Sequence, residues 1–382
     1  MNLVFALLAI VAAIGIVITS VQTILTAIFR RRRHDPFVFP QAASFISILK
    51  PVCGLDDELE ENLESFAHLR GVRFELIVSI ADANDAALPA VERFRARHRD
   101  LDVRVVIGGD PSLENGNRKV ARLIAAQREA RGDILFISDS NVRVEPDDLA
   151  KTIAAFSDAR VGCVSNLFTG SGAATLGARI ESLHLLSFVV TGNVLAAFGR
   201  VPCVVGKSMA ITRGALDAIG GFAAFANVLA EDQAIALAVR EAGFAIALSP
   251  VVVRNVVVNR TIKRALDRQI RWNKIRFSFS SALYSSEFLV NPLPFAIFSG
   301  HIYFALAVIL LRMVQVALLS RSTGARLTKR DIALVPILDL LQFAAQFVPF
   351  YDDSVTWRGY RVRLGPNTRM LAPAAHEIYT AS

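Results

Sequence analysis

The stretch "FISDSNVRV", residues 136–144, decides how the rest of the chain is read. The apolar run Ile134–Ile137 reads as a buried strand, and it stops abruptly in Ser138, Asp139, Ser140 and Asn141. A carboxylate at the mouth of a buried strand calls for a reason. Outward from this point, strand and helix patterns alternate. Phe45–Leu49, Phe74–Ala81, Val103–Ile107 and Asp133–Ser138 read as strands. Asp57–Leu69, Leu88–His98 and Asn117–Arg131 between them read as helices. That alternation predicts an α/β fold, a parallel sheet with helices on both faces. In such sheets ligands bind beyond the carboxyl ends of the strands. Asp82 and Asp139 both lie there.

Further along, Gly214–Gly221 reads as a short helix and turn, and Leu229–Phe244 as a helix with acids at its start and Gly243 just past its end. Ser249–Val258 is a β-branched strand and Thr261–Ser281 a basic helix. No Gly-x-Gly-x-x-Gly follows the first strand, so the dinucleotide fingerprint is missing. "VGKS", 205–208, suggests a phosphate loop, but that loop needs a Gly where Val201 stands.

The chain has 382 residues, 53% of them hydrophobic, and a net charge of +8. Residues 1–29 carry no charged side chain and are followed by four arginines, Arg30–Arg33. About 20 apolar residues suffice to cross a bilayer. A cleavable signal peptide would have its basic residues before the apolar core. Here they follow it, which predicts a retained transmembrane anchor with the next domain cytoplasmic. The near end reads as anchor over 1–29, basic linker over 30–44 and an α/β domain over 45–282. Residues 283–350 read as membrane-embedded or re-entrant helices, and 351–382 as a basic tail. Phe288–Leu319 is short for two spans and long for one, so a re-entrant hairpin and two helices both remain open. Lysine and arginine cluster beside the apolar segments, which points to anionic lipid headgroups rather than nucleic acid as the basic partner. The three cysteines and six histidines show no metal-ligand spacing. They argue against disulfides and zinc, and His184 reads as a core residue.

Three acids stand out: Asp82, Asp139 and Asp232. So does "RQIRW", Arg268–Trp272. Each has a bland reading. Asp82 and Asp139 could form local turns, Glu231 and Asp232 could serve the start of a helix, and "RQIRW" could be a lipid-facing basic surface. Together they suit chemistry on a sugar nucleotide. Mg2+ or Mn2+ takes oxygen ligands, usually one or two carboxylates plus phosphate oxygens. Asp139 and Asn141 would place two oxygen side chains on one side of an extended turn. Asp232 could serve as a base on an alcohol. Arg268, Arg271 and Lys274 could steady a departing diphosphate, and Trp272 could offer a flat surface to a sugar or lipid.

The order Asp, Asp, Glu-Asp, Arg-x-x-Arg-Trp resembles the signature of membrane glycosyltransferases with the GT-A fold. Within that class the chain is similar to the ceramide glucosyltransferase family. The matching segments are "SILKPVCG" (47–54), "SIADANDAA" (79–87), "VIGGD" (106–110), "NRK" (117–119), "ISDSNVRV" (137–144), "GGFAAFANVLAEDQAIA" (220–236), "RQIRWNKIR" (268–276) and "WRGYRVRLG" (357–365). They run from about residue 45 to the tail. The resemblance implies a GT-A, Rossmann-like mixed sheet, an N-terminal transmembrane helix and C-terminal membrane-associated helices. It implies that Asp82 contacts the uracil or ribose of a UDP-sugar, and that Lys119 lies beside the nucleotide. Asp139 would hold a divalent cation and diphosphate, and Asp232 would be the base on the acceptor. Arg268, Arg271 and Trp272 would close over diphosphate and acceptor. Two positions depart from the family pattern: Asn141 stands where Gly or Asp is common, and "NRK" replaces Asn-Pro-Lys.

The implied function is an inverting transfer of glucose from a UDP-sugar to the primary hydroxyl of a ceramide-like lipid, at the bacterial inner membrane. Transfer of N-acetylglucosamine to a hopanoid is the nearest alternative, on shared motifs. A polysaccharide synthase would carry Gln at position 268 and more apolar helices. A non-catalytic nucleotide-sugar sensor could dispense with the base and the arginines.

Overall fold

The computed structural model describes residues 3–31, 45–108, 116–357 and 360–371. Most of the basic linker, Gly109 and Asp110 of "VIGGD", Arg358 and Gly359 of "WRGYRVRLG" and the end of the tail lie outside these residues. Eight strands make the principal sheet: β1 (Ile46–Val52), β2 (Phe74–Ile80), β3 (Val103–Ile107), β4 (Ile134–Ser138), β5 (Val142–Arg143), β6 (Val161–Ser171), β7 (Ser208–Thr212) and β8 (Ala245–Val256). Their order is β3-β2-β1-β4-β7-β6-β8-β5. The first four are parallel, with Ile48 opposite both Leu76 and Phe136.

The parallel arrangement read from the alternating pattern spans β1–β4, and beyond them the sheet is mixed, as the resemblance implies. β7 runs antiparallel to β4 and β6, β6 and β8 run parallel, and β5 closes the edge antiparallel. The sheet is mixed because β7 arrives through a helix and a loop rather than a βαβ crossover.

Side-chain alternation divides each strand between two cores. Ile46, Ile48, Ile134 and Phe136 pack with Phe66 and Phe94 of the Leu59–Ala67 and Leu88–Arg97 helices. Leu49, Ile77, Leu135 and Ile137 pack on the other face with Val120 and Leu123 of the Arg118–Glu129 helix. At the amino ends of the strands the buried Glu75 carboxylate accepts from Ser47 Oγ, from Arg131 and from Arg104. Burial opposes its ionisation, but these donors outweigh it and lower its pKa. The carboxyl ends remain for function.

Among the described residues, three helices are long and apolar enough to cross a membrane: Leu3–Arg31, Leu176–Phe198 and Ile302–Thr323. The second is mostly buried in the protein. It leaves regular helical geometry at a π-helical segment, Leu185–Val190. His184, just before it, is buried with its ring stacked on Phe188 at 5.6 Å. The first helix packs on Pro292–Phe298 and Ile302–Thr323. Gly15 permits the close approach, since a Cβ there would come within 2.6 Å of the Leu289 carbonyl oxygen.

Between Pro292–Phe298 and Ile302–Thr323 the chain turns at Gly300, whose φ is 75°. A seven-residue helix rises only about 10 Å, so Phe288–Leu319 holds one long helix and one short one. None of the three cysteines forms a disulfide.

A buried polar network knits these helices together. Arg312 grips both oxygens of Asp339, at 2.9 and 3.1 Å, and donates to Gln315 at 3.1 Å. Gln315 in turn donates to Thr19 and Ser20 of the first helix. Removing one partner of a buried pair strands the other charge without compensation. Arg312→Met should therefore cost about 3–5 kcal/mol of stability, while Arg312→Met with Asp339→Leu recovers most of it. Denaturation of the detergent-solubilised protein measures both, and an unchanged midpoint for the single variant would show that the pair contributes nothing.

Candidate active site

The site forms where β4 ends. Asp139 leaves β4 with its backbone N–H donating to the Lys207 carbonyl, 3.1 Å, on the loop entering β7. Beneath it, β1 carries Lys50, a fully buried lysine in a central strand. Its ammonium lies 4.2 Å from the Phe66 ring centroid and donates to the Asp139 carbonyl at 2.9 Å. Burial lowers the Lys50 pKa to about 7, against the opposing pull of Asp139 and Asp56.

Lys119 is the hub. Asn117 caps the Arg118–Glu129 helix, its side-chain oxygen accepting from the N–H groups of Lys119 and Val120. This puts Lys119 in the first turn, where the helix dipole disfavours a cation. Three acceptors reverse that preference: Asp139 Oδ1 at 2.9 Å, Glu231 Oε1 at 2.9 Å and the Gly206 carbonyl at 3.1 Å. Burial alone would lower the Lys119 pKa, but Asp139, Glu231 and Asp232 together raise it well above the ordinary lysine range.

Asp139 is held in the same balance. Burial pushes its carboxyl up, and the ammonium groups of Lys119 and Lys207 more than reverse this, so it lies far below the usual carboxylate range. Lys207 Nζ is 3.1 Å from Asp139 Oδ2 and 3.0 Å from Asn141 Oδ1.

The helix Glu231–Glu241 brings the third acid. Asp232 Oδ2 accepts from the Gly206 N–H at 2.6 Å, and Oδ1 from the N–H of Gln233 at 2.8 Å. Gly206 permits this close approach, since a Cβ there would meet Lys119 Nζ at 2.9 Å and Asp232 Cβ at 3.1 Å and would displace the lysine. Glu231 is buried beside it, its pKa raised by burial and by Asp232 against the pull of Lys119. Asn117 Nδ2 donates to Glu231 at 3.2 Å.

The entry to this helix is braced from the far end of the chain. Residues expected to form only a basic tail make a small sheet of β9 (Ser354–Trp357), β10 (Tyr360–Leu364) and β11 (Met370–Leu371). Thr368 accepts from the N–H groups of Leu229 and Ala230 through its carbonyl and hydroxyl. The Lys274 ammonium donates to Asp352 at 2.7 Å and to the Ser354 carbonyl at 2.5 Å.

Of the residues singled out in the sequence, Lys119, Asp139 and Asp232 therefore converge through Gly206. Asp82 stands apart, exposed after β2, with its carboxylate accepting from the Asn84 N–H at 2.6 Å. Its strand end is two strand spacings from that of β4, about 10 Å.

Arg268, on the helix Ile262–Phe279, forms an ion pair with the buried Glu181 and stacks over the Trp272 ring at 4.6 Å. Burial, then Arg271, lowers its pKa to about 9, while Asp139 pulls the other way. Trp272 faces inward, 6.4 Å from Phe168 and 6.2 Å from His184. Arg271 is half-buried on the same helix. Lys207, Gly206 and Glu181 are additions the matching segments did not supply, and Lys50 lies in one of them, "SILKPVCG", without having been given a role. Gly206 and Lys207 belong to "VGKS", which fails as a phosphate loop yet lies in the site.

Asp139 and Asn141 present two oxygens that converge on one cation, at present the Lys207 ammonium. Hard oxygens in that arrangement suit Mg2+ or Mn2+ completed by phosphate oxygens. No cluster of three or more His, Cys, Asp or Glu able to hold a metal occurs among the described residues. The donor set is thus one carboxylate and one amide, which fits a metal held jointly with a nucleotide.

A parallel half-sheet ending in an acid, an antiparallel return through β7, and a second acid on the following helix define the GT-A architecture of glycosyltransferases. The chain belongs to glycosyl transferase family 21, whose model matches residues 7–370.

Among solved structures it is similar in fold to a mannosyltransferase of Pyrobaculum calidifontis in complex with GDP-mannose and Mn2+. The TM-score is 0.52 at 19% identity, covering 89% of this chain and 99% of that one. It is also similar to ceramide glucosyltransferase 1 of Caenorhabditis elegans, 28% identical over 67% of this chain and 54% of that protein. An N-acetylglucosaminyltransferase of Rhizobium meliloti is 26% identical over 64% of this chain and 62% of that protein. The chain spans about half the length of the ceramide glucosyltransferases of C. elegans that it matches.

The buried Lys50 carries a pH signature. Between its folded pKa of about 7 and its ordinary 10.5, the unfolded chain holds the proton and the folded chain does not. Stability then rises with pH across that window and is level outside it. Relative to Lys50→Met, the wild-type unfolding midpoint should climb from pH 7 to pH 10. A difference that stays constant would place the Lys50 pKa near 10.5 in the fold.

Proposed function

We propose that this protein is an inverting hexosyltransferase of the membrane surface. It moves glucose from a UDP-sugar to the primary hydroxyl of a ceramide-like lipid and leaves a β-linked sugar. The observation that carries this reading is the single lysine joining Asp139 to Glu231 while Asp232 is pinned to the same Gly206 backbone. One short-range network thus holds the acid that would meet the donor and the acid that would meet the acceptor.

In this mechanism Asp82 contacts the uridine, and Asp139 with Asn141 would hold a divalent cation. That cation supplies charge neutralisation for the leaving diphosphate. Lys119 keeps Asp139 ionised and fixed. Asp232, with both oxygens oriented by backbone N–H groups, takes the proton from the acceptor hydroxyl. The freed oxygen attacks the anomeric carbon from the face opposite UDP, which inverts the configuration. Arg268 and Arg271 lie on the helix that flanks the site and supply positive potential toward the departing diphosphate. The Arg268–Glu181 pair and the Arg268–Trp272 stack set that helix in place. The apolar helices hold the site at the lipid–water boundary, with the catalytic domain on the cytoplasmic side. There Arg30 and Arg31 would meet anionic headgroups.

N-acetylglucosamine transfer is the second reading, favoured by the similarity to the Rhizobium meliloti enzyme over 62% of its length. UDP release from the purified full chain with Mn2+ or Mg2+ tests both. The arms are UDP-glucose or UDP-N-acetylglucosamine as donor and ceramide or a hopanoid as acceptor, with mass spectrometry of the lipid formed. UDP-glucose with ceramide should give the fastest release and a hexosylceramide. Loss of the base typically costs 10²–10⁴-fold, so Asp232→Asn should fall about a thousandfold with an unchanged unfolding midpoint. Full transfer by Asp232→Asn would remove it as the base. Binding of nucleotide without UDP release at wild type would leave a sensor.

A further inference from the structure

The cation between Asp139 and Asn141 is a lysine of the chain itself. Lys207 Nζ sits 3.1 Å from Asp139 Oδ2 and 3.0 Å from Asn141 Oδ1, the two oxygens that the proposed mechanism assigns to a divalent ion. Both oxygens of Asp139 are already paired, the other with Lys119 at 2.9 Å. Lys119 has two further acceptors, Glu231 and the Gly206 carbonyl, and its ammonium is held among all three. Among the described residues, the acceptors on the Lys207 ammonium are Asp139 and Asn141.

The Lys207 backbone is fixed at the site, because its carbonyl accepts from the Asp139 N–H at 3.1 Å. Its four-carbon stem, by contrast, lets the ammonium travel several ångströms while the loop stays still. A nucleoside diphosphate entering beside Asp139 brings phosphate oxygens that compete with a single carboxylate and an amide for that ammonium. A divalent ion and Lys207 cannot both occupy the space between Asp139 and Asn141.

Resting on the reading of the site as a nucleotide-sugar centre, we propose that Lys207 is a resident counter-cation. It holds the divalent-ion position in the nucleotide-free enzyme and transfers its ammonium to the diphosphate when metal and nucleotide arrive. Two consequences follow. The free enzyme binds metal weakly, because the ion must displace an ammonium that is already satisfied. Metal and nucleotide then bind as a coupled pair, each raising the affinity for the other by the same factor.

The test is Mn2+ binding to the full chain in detergent, read from the free-ion electron paramagnetic resonance signal, with Mn2+ alone and with Mn2+ plus UDP. Without nucleotide, Lys207→Met should bind Mn2+ about tenfold more tightly than wild type, a coupling of ordinary size for linked sites. Lys207→Arg, which keeps the charge and the length, should bind like wild type. Asn141→Ala should weaken Mn2+ binding about tenfold in the Lys207→Met background and by less than about twofold in the wild-type background, since there the lysine already holds that oxygen.

Equal effects of Asn141→Ala in the two backgrounds would mean that Lys207 acts only through its field and would overturn the proposal. So would Mn2+ binding to Lys207→Met no tighter than to wild type, while wild type still binds Mn2+ with UDP. Failure of every variant to bind Mn2+ even with UDP present would instead bring down the nucleotide-sugar reading of the site, and this inference with it.

Discussion

The arrangement depends on one ammonium group. Lys119 is placed by the Asn117 cap at a helix end that disfavours cations, and it is stable there only because Asp139, Glu231 and the Gly206 carbonyl surround it. The same three contacts draw β4, the helix that begins at Glu231, and the β7 loop to a common point. A buried charge in low dielectric is costly unless its partners are close and complete. Here they are, and the geometry of the three elements is correspondingly fixed. Glu231, which the sequence presents as a helix-start acid, is the member that neutralises Lys119 from the far side. Asp232 accepts from the backbone N–H groups of Gly206 and Gln233.

Much of the first half was legible because its physics is local. The apolar runs ending in Lys50-Pro51, Ala81-Asp82 and Ser138-Asp139 match β1, β2 and β4 to within two or three residues, and Val103–Ile107 is β3 as read. The acids at strand ends followed from the rule that parallel sheets bind ligands there. From Gly162 on, local pattern stops deciding. β6 interleaves Ser, Asn, Thr and Gly with Val161, Cys163, Val164, Leu167 and Phe168, and it pairs with β8 along most of its length. β7 is a short apolar run whose direction is set by long-range partners on both sides. The Leu176–Phe198 helix is apolar over most of its surface, so its period is muted. Lys207 and Glu181 carry no motif, and only three-dimensional proximity gives them meaning.

The second lesson concerns the tail. A run rich in arginine reads from the sequence as a surface for anionic lipid. Yet the β9–β11 sheet buries Val355 and Leu364 against Leu229, and Thr368 satisfies two backbone donors just ahead of Glu231. Those donors would otherwise be unpaired at the start of a helix, where four N–H groups lack intrahelical partners. The brace sets the position of the acids.

The polar network in the apolar bundle reaches the helix Ile262–Phe279. Arg312 and Asp339 fix the helix Val335–Phe347, and Gln342 on that helix donates to Asn273 at 3.3 Å. Asn273 also accepts from Arg276 at 2.7 Å. Asn273 lies one residue beyond Trp272 and five beyond Arg268, on the helix whose Arg268 is clamped to Glu181. The Gln342–Asn273 contact thus links the apolar helices to the arginine–tryptophan helix. Contacts of this kind tie the apolar helices to the charged helix. The cost is a set of buried polar side chains in an apolar setting, each of which must keep its partner.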